Sequence, residues 1–115
     1  MYNLLKEISM KVIIEKIDNR VKITLNIEKF NINHMQEIKK EISQEIKNNP
    51  NNIIIDFSKV VFIDSSGLSV IIGIFKQLNT LNKKLELCGL EEQPKELFEL
   101  TQLHKLITIV DNCNS

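Results

Sequence analysis

With 115 residues, 15 of them acidic and 15 basic, the chain has the length for one domain around one hydrophobic core. The charge balance argues against a binder of the nucleic-acid backbone, which needs clustered positive charge, and against a polybasic membrane anchor. The longest apolar run, Val70 to Phe75, is far short of a membrane span, and the first residues lack the apolar core of a secretion signal, so a cytoplasmic location is expected.

In chain order, residues 1–10 carry Leu4, Leu5 and Ile8 and fit either a first helical turn or a short extension. The domain proper is expected over residues 11–110, with a polar tail at 111–115. Val12, Ile13, Ile14 and Ile17 are β-branched and predict a strand. Asp18-Asn19 is a turn signal, and Val21, Ile23 and Leu25 alternate with polar residues as in a half-buried strand. The two make a hairpin. Glu28 to Asn33 is a polar loop interrupted by Phe30 and Ile32, and Asn31 or Asn33 can cap the helix that follows. Met35, Ile38, Ile42 and Ile46 then recur at helical spacing until Asn48-Asn49-Pro50-Asn51-Asn52 ends the helix. Ile53 to Phe57 is apolar on both faces, as a central strand requires.

A second helix is predicted from about Ser66 to Leu81, with Leu68, Ile71, Ile72, Phe75 and Leu78 on its inner face. Leu85, Leu87 and Cys88 form a strand stopped by Gly89. Pro94 suits the first turn of a third helix, with Leu97, Phe98 and Leu100 turned inward. Leu103 to Val110 predicts a short helical turn and an edge strand. The expected fold is a single α/β domain, a mixed sheet of four to five strands with helices packed on it.

Asp64-Ser65-Ser66-Gly67 lies at the strand-to-helix turn before the second helix. Backbone N–H groups lack partners there and the helix dipole favours negative charge. A hydroxyl at such a turn can cap the helix, and once phosphorylated it carries its phosphate at a terminus suited to anions. The plain alternative is that Asp and Ser are common caps and Gly a common turn residue. An enzyme finds little support. His34 and His104 are isolated, and Ser65 lacks the G-x-S-x-G setting of a nucleophile elbow. Gly67 and Gly73 make no phosphate loop. Cys88 and Cys113 show no metal spacing; Cys88 reads as a small core residue and Cys113 has no evident role. No cofactor, metal or nucleic acid is expected.

The run Phe62-Ile63-Asp64-Ser65-Ser66-Gly67-Leu68-Ser69-Val70-Ile71-Ile72-Gly73 resembles the signature of the STAS domain family, and within it the bacterial anti-sigma factor antagonists. Leu97 to Ile107 resembles a second block of that family, and the likeness in layout spans roughly Met10 to Val110. It implies a small sheet with helices packed on it. It also implies that Ser65, directly after Asp64, accepts a phosphate from an anti-sigma factor that is itself a serine kinase. The unphosphorylated form would bind that factor and free a sigma factor, and a PP2C-type phosphatase would restore it. The partner surface implied is Asn31, Asp64, Ser65, Ser66, Gly67 and Leu68, with Gly67 letting the kinase approach the backbone. Three departures stand out. The family's Gly-x-Leu-Asp pattern is replaced by Glu28-Lys29-Phe30-Asn31. Gln102 stands where the family usually has Gly, so a different turn is expected. The family's last helix has no counterpart before Ser115, so that end is expected to be trimmed or completed by a partner. The alternative is a STAS module that docks without phosphate, as a stress-complex scaffold or a transporter-associated subunit. Weak homodimerisation is compatible with the balanced surface charge.

Overall fold

The computed structural model describes residues 6–8 and 11–113. Strands β2 (Val12–Ile17) and β3 (Arg20–Leu25) form the expected hairpin, in register from Val12 opposite Leu25 to Ile17 opposite Arg20. Asp18 turns the chain with a φ of 51°, a left-handed conformation that a short polar side chain tolerates. Strand β1 (Lys6–Ile8) adds antiparallel to the free edge of β2. A helical turn through Ile8 is therefore not formed; Leu4 and Leu5 lie outside the described residues. A two-residue strand β4 (Lys29–Phe30) precedes helix α1 (Ile32–Asn48). Strand β5 (Asn52–Asp56), a second two-residue strand β6 (Phe62–Ile63), helix α2 (Ser65–Thr80) and strand β7 (Leu85–Cys88) follow. Helix α3 (Glu92–Leu100), a 3-10 turn (Leu103–Lys105) and strand β8 (Thr108–Val110) complete the order.

The main sheet runs β1-β2-β3-β5-β7-β8. It is antiparallel across β1, β2 and β3 and parallel from β3 to β8. This is the mixed α/β sheet expected, widened by β1. One face is the core. Val21, Ile23, Leu25, Ile53, Ile55, Leu85 and Leu87 join Ile38, Ile42 and Ile46 of α1 and Val70, Ile71, Ile74 and Leu78 of α2 in one buried cluster. Alternation along the strands turns the remaining residues to the other face, where charged side chains surround the buried Ile54 and Cys88. There Arg20 pairs with Glu86 at 3.0 Å and Lys22 lies 3.7 Å from Asp56.

Several positions depart from the sequence pattern. The inner stripe of α2 is centred on Val70, Ile71, Ile74 and Leu78, with Leu68 and Phe75 on its flank and Ile72 only half-buried. Leu100 faces solvent, 76% exposed, because α3 ends there and Phe98 takes the core position against Phe57. The turn after α3 is left-handed, with Gln102 at a φ of 62°, a conformation that glycine adopts more readily than a residue with a side chain.

Candidate functional site

The chain reaches the Asp64 turn through a tightly bonded loop. Asp56 Oδ1 accepts the Ser58 N–H at 2.8 Å, the Phe57 N–H donates to the Cys88 carbonyl, and the Val60 N–H closes back on the Phe57 carbonyl. The Val61 and Phe62 N–H groups both donate to the Glu28 carbonyl. Strand β6 then pairs in parallel with β4, Phe62 opposite Lys29 and Ile63 opposite Phe30. The Gln93 side chain fixes β6 from the other side. Its Oε1 accepts the Ile63 N–H at 2.9 Å and its Nε2 donates to the Ile63 carbonyl at 3.0 Å. This polar clamp is set by a side chain at the start of α3.

The short β4–β6 pair brings two helix N-termini side by side. Phe30 and Ile63 are partners in register, and the next residue of each chain segment is a helix cap. Asn31 caps α1, its side-chain oxygen accepting the Asn33 N–H at 3.0 Å. Asp64 caps α2, with Oδ1 accepting the Ser66 N–H at 2.9 Å and the Gly67 N–H at 3.2 Å. The Asp64 N–H donates to the Phe30 carbonyl at 3.3 Å, so the two caps are tied across the strand pair. Of the alternatives for α1, Asn31 is the cap and Asn33 is the donor it satisfies.

The carboxylate thus occupies the donors that an anion at this turn would use. Ser65 is the first residue of α2 and is exposed, and its hydroxyl has no hydrogen-bond partner among the described residues. Asn31, Asp64, Ser66 and Leu68 are half-buried around it. Gly67 is different. It is buried, and a Cβ on it would lie 2.5 Å from the Phe30 carbonyl oxygen and 2.8 Å from Ile63 Cγ1. The reading of Gly67 as open backbone for a kinase is corrected: the absent side chain admits β4 and β6, so Gly67 supports the turn from inside.

Sequence reasoning missed the apolar rim. Ile32, Val61 and Phe62 are 68%, 51% and 41% exposed, and they lie next to the two caps in sequence and along the β4–β6 pair. A four-residue apolar run, Val60 to Ile63, leading into a polar turn was the available signal, because a strand that short cannot bury both of its faces. The two histidines sit elsewhere in role: His34 is half-buried in the first turn of α1, and His104 Nδ1 lies 3.3 Å from the Phe98 carbonyl. Among the described residues, Asp56, Cys88 and Cys113 bring potential metal-ligating atoms within 4.8 Å of one another, with the two sulfurs joined as a disulfide. No helix among the described residues is long and apolar enough to cross a membrane.

The chain belongs to the STAS domain family, whose family model matches residues 14–115. A curated relative, the anti-sigma-B factor antagonist of Listeria monocytogenes, is 42% identical over 55 residues, 48% of each chain. Among solved structures, a candidate anti-sigma factor antagonist from Thermotoga maritima superposes with a TM-score of 0.80 at 27% identity, covering 88% of this chain and 86% of the other. The anti-sigma factor antagonist SpoIIAA in its unphosphorylated form shares the fold, with a TM-score of 0.71 at 20% identity over 90% of both chains; SpoIIAA of Bacillus is also solved in a phosphorylated form.

Proposed function

We propose that this chain is an anti-sigma factor antagonist that acts by binding, with no catalysis of its own, and that phosphorylation of Ser65 switches it off. The single observation that carries this reading is the exposed, unengaged Ser65 hydroxyl directly after a cap that has already satisfied the turn. A phosphate there disturbs none of the hydrogen bonds that hold α2, so its effect falls on a partner rather than on the fold. The partner is a cytoplasmic anti-sigma factor with serine kinase activity. It docks on the apolar rim of Ile32, Val61 and Phe62 and on the polar centre of Asn31, Asp64, Ser65 and Ser66. A PP2C-type phosphatase resets the switch. Forcing about two negative charges into that contact, beside the Asp64 carboxylate, at a cost of roughly 3 kcal/mol weakens binding about a hundredfold.

The test combines peptide mapping of the native protein with titration of two variants against the cognate anti-sigma factor. Phosphate is expected on Ser65. Ser65→Ala should stay folded and bind without being inactivated by ATP, and Ser65→Asp should bind about a hundredfold more weakly. Equal affinity of the two variants would overturn the switch. One observation favours a second reading, a STAS module that docks without phosphate: the α1 cap is the neutral Asn31 where the family pattern carries Asp. Tight binding that is indifferent to both Ser65 variants is its signature.

A further inference from the structure

Cys88 and Cys113 are joined, with their Cα atoms 5.1 Å apart and a sequence separation of 25. Their surroundings are unequal. Cys88 is the last residue of β7 and fully buried, whereas Cys113 lies half-buried in the segment that follows β8. Cys88 belongs to the face of the sheet opposite α1 and α2, where it stays outside the main apolar cluster. The bond therefore carries the C-terminal segment back across that face. It closes a loop containing α3, the 3-10 turn and β8.

The tethered sulfur is packed where the loop toward Ser65 begins. Gly89, at a φ of 68°, leaves just enough room: a Cβ there would lie 3.1 Å from Cys113 Sγ, 3.2 Å from Ser58 Cβ and 3.4 Å from Asp56 Oδ1. Ser58 is held by Asp56 Oδ1, and Phe57 by the Cys88 carbonyl. The disulfide thus buttresses residues 57–61, the segment that delivers β6 and the Asp64 cap. The reduced state is equally well provided for. The Ile55 carbonyl lies 3.6 Å from Cys88 Sγ and can accept a hydrogen bond from the thiol. Opening the bond leaves a satisfied buried thiol on one side and a tail sulfur free to move on the other.

We propose that Cys88–Cys113 is a reversible redox tether that holds the C-terminal segment against residues 57–61 when oxidised and releases it when reduced. This inference stands independently of phosphorylation at Ser65. The chemistry is thiol–disulfide exchange with a dithiol reductant of the thioredoxin class. A reductant thiolate attacks the accessible Cys113 Sγ, the S–S bond breaks, and Cys88 leaves as a thiolate that takes up a proton. The second reductant thiol attacks the mixed disulfide and frees the Cys113 thiol. Two electrons and two protons pass to the protein and the reductant becomes a disulfide. Oxidation by a small-molecule disulfide is the reverse.

The experiment equilibrates the full chain in reduced and oxidised dithiothreitol buffers with a chelator present, alkylates free thiols, and reads the pair by mass. Amide hydrogen exchange is followed in parallel. One two-electron transition is expected. On reduction, exchange in residues 57–61 and 108–113 should quicken at least tenfold while the β2–β3 hairpin is unchanged. Cys113→Ser, which leaves the buried Cys88 in place, should show the reduced pattern in every buffer. Free thiols at all buffer ratios would overturn the tether, as would unchanged exchange in 57–61. A transition that appears only when the chelator is left out would replace it with thiolate–metal chemistry involving Asp56.

Discussion

The two helix N-termini at the candidate site are built alike and used differently. Each follows a two-residue strand, each has its cap one residue after partners in the same parallel pair, and each cap has an extended backbone. Asn31 satisfies one backbone donor with a neutral amide, and Asp64 satisfies two with a carboxylate. At α1 the residue after the cap is the exposed apolar Ile32; at α2 it is the exposed Ser65. The contrast teaches that capping alone does not make a site. Asp64 engages the Ser66 and Gly67 donors of its own turn, and the hydroxyl of the serine beside it makes no hydrogen bond among the described residues, as the proposed switch requires. The neutral neighbour, Asn31, keeps a second carboxylate away from that serine.

Gly67 is where this comparison breaks most sharply. Only α2 packs its first turn onto β4 and β6 so closely that a methyl group meets a backbone carbonyl at 2.5 Å and the Phe30 ring at 2.8 Å. A carbonyl in a paired strand cannot swing aside, so Gly67→Ala should cost about 3 kcal/mol in urea unfolding. Gly73 is the control. It lies exposed within the same helix with nothing within 4 Å of an added Cβ. Gly73→Ala should therefore stabilise by about 0.5–1 kcal/mol through the lower backbone entropy of the unfolded chain. Equal effects at the two glycines would show that the close approach at Gly67 is not what holds the turn.

The caps themselves come next in size. Asp64→Ala removes two hydrogen bonds and a favourable charge at a dipole end, a loss of about 1–2 kcal/mol. Asn31→Ala removes one neutral bond and should cost about 0.5–1 kcal/mol. Asp64→Asn separates the contributions, since it keeps an acceptor and loses the charge, and should give up only about 0.5 kcal/mol. Chemical denaturation of the three variants checks the order. A larger loss at Asn31 than at Asp64 would reverse the assignment of α2 as the more firmly fastened end.

The parts of this site that carry a period or a turn signal were legible in the sequence. The β2–β3 hairpin followed from alternation around Asp18-Asn19, the inner stripe of α1 from Ile38, Ile42 and Ile46, and the central strand from its continuous run of isoleucines. The Asp64 turn followed from residue type and from position between two apolar runs. The β4–β6 pair did not, because two residues have no period, and its existence depends on a partner more than thirty residues away. Gly67 was misjudged for the same reason: its neighbour is Phe30, which only that pairing brings near. The Cys88–Cys113 bond was invisible because spacing says nothing about which strand ends share one face of a sheet. Leu100, 76% exposed, was assigned to the interior on hydrophobicity, but α3 ends at that residue and Phe98 already fills the inward position.

The smallest effect lies further along α1 and concerns how that helix is held to the sheet. Lys11 Nζ donates to Glu37 Oε1 at 2.8 Å, joining the start of the hairpin to the second turn of α1. The hydrogen bond from Lys11, and then its charge, hold the Glu37 carboxyl below the usual carboxylate range. A carboxyl lowered in the folded state contributes its stability above its unfolded value and loses it as pH falls through the folded one. The link should therefore be intact at neutral pH and fade on acidification below the ordinary carboxylate range. Glu37 is exposed to water, so salt screens the pair and the contribution is slight. The measurement is the difference in unfolding midpoint between the parent and Glu37→Gln at neutral and acidic pH, in low and high salt. The difference should be greatest at neutral pH and low salt and shrink along both axes. A difference that grows on acidification would mean that Glu37 is held by something other than Lys11. If the N-terminus of α1 is part of the proposed docking surface, its cap is set by Asn31 rather than by this pair, and partner binding should be unchanged in the variant.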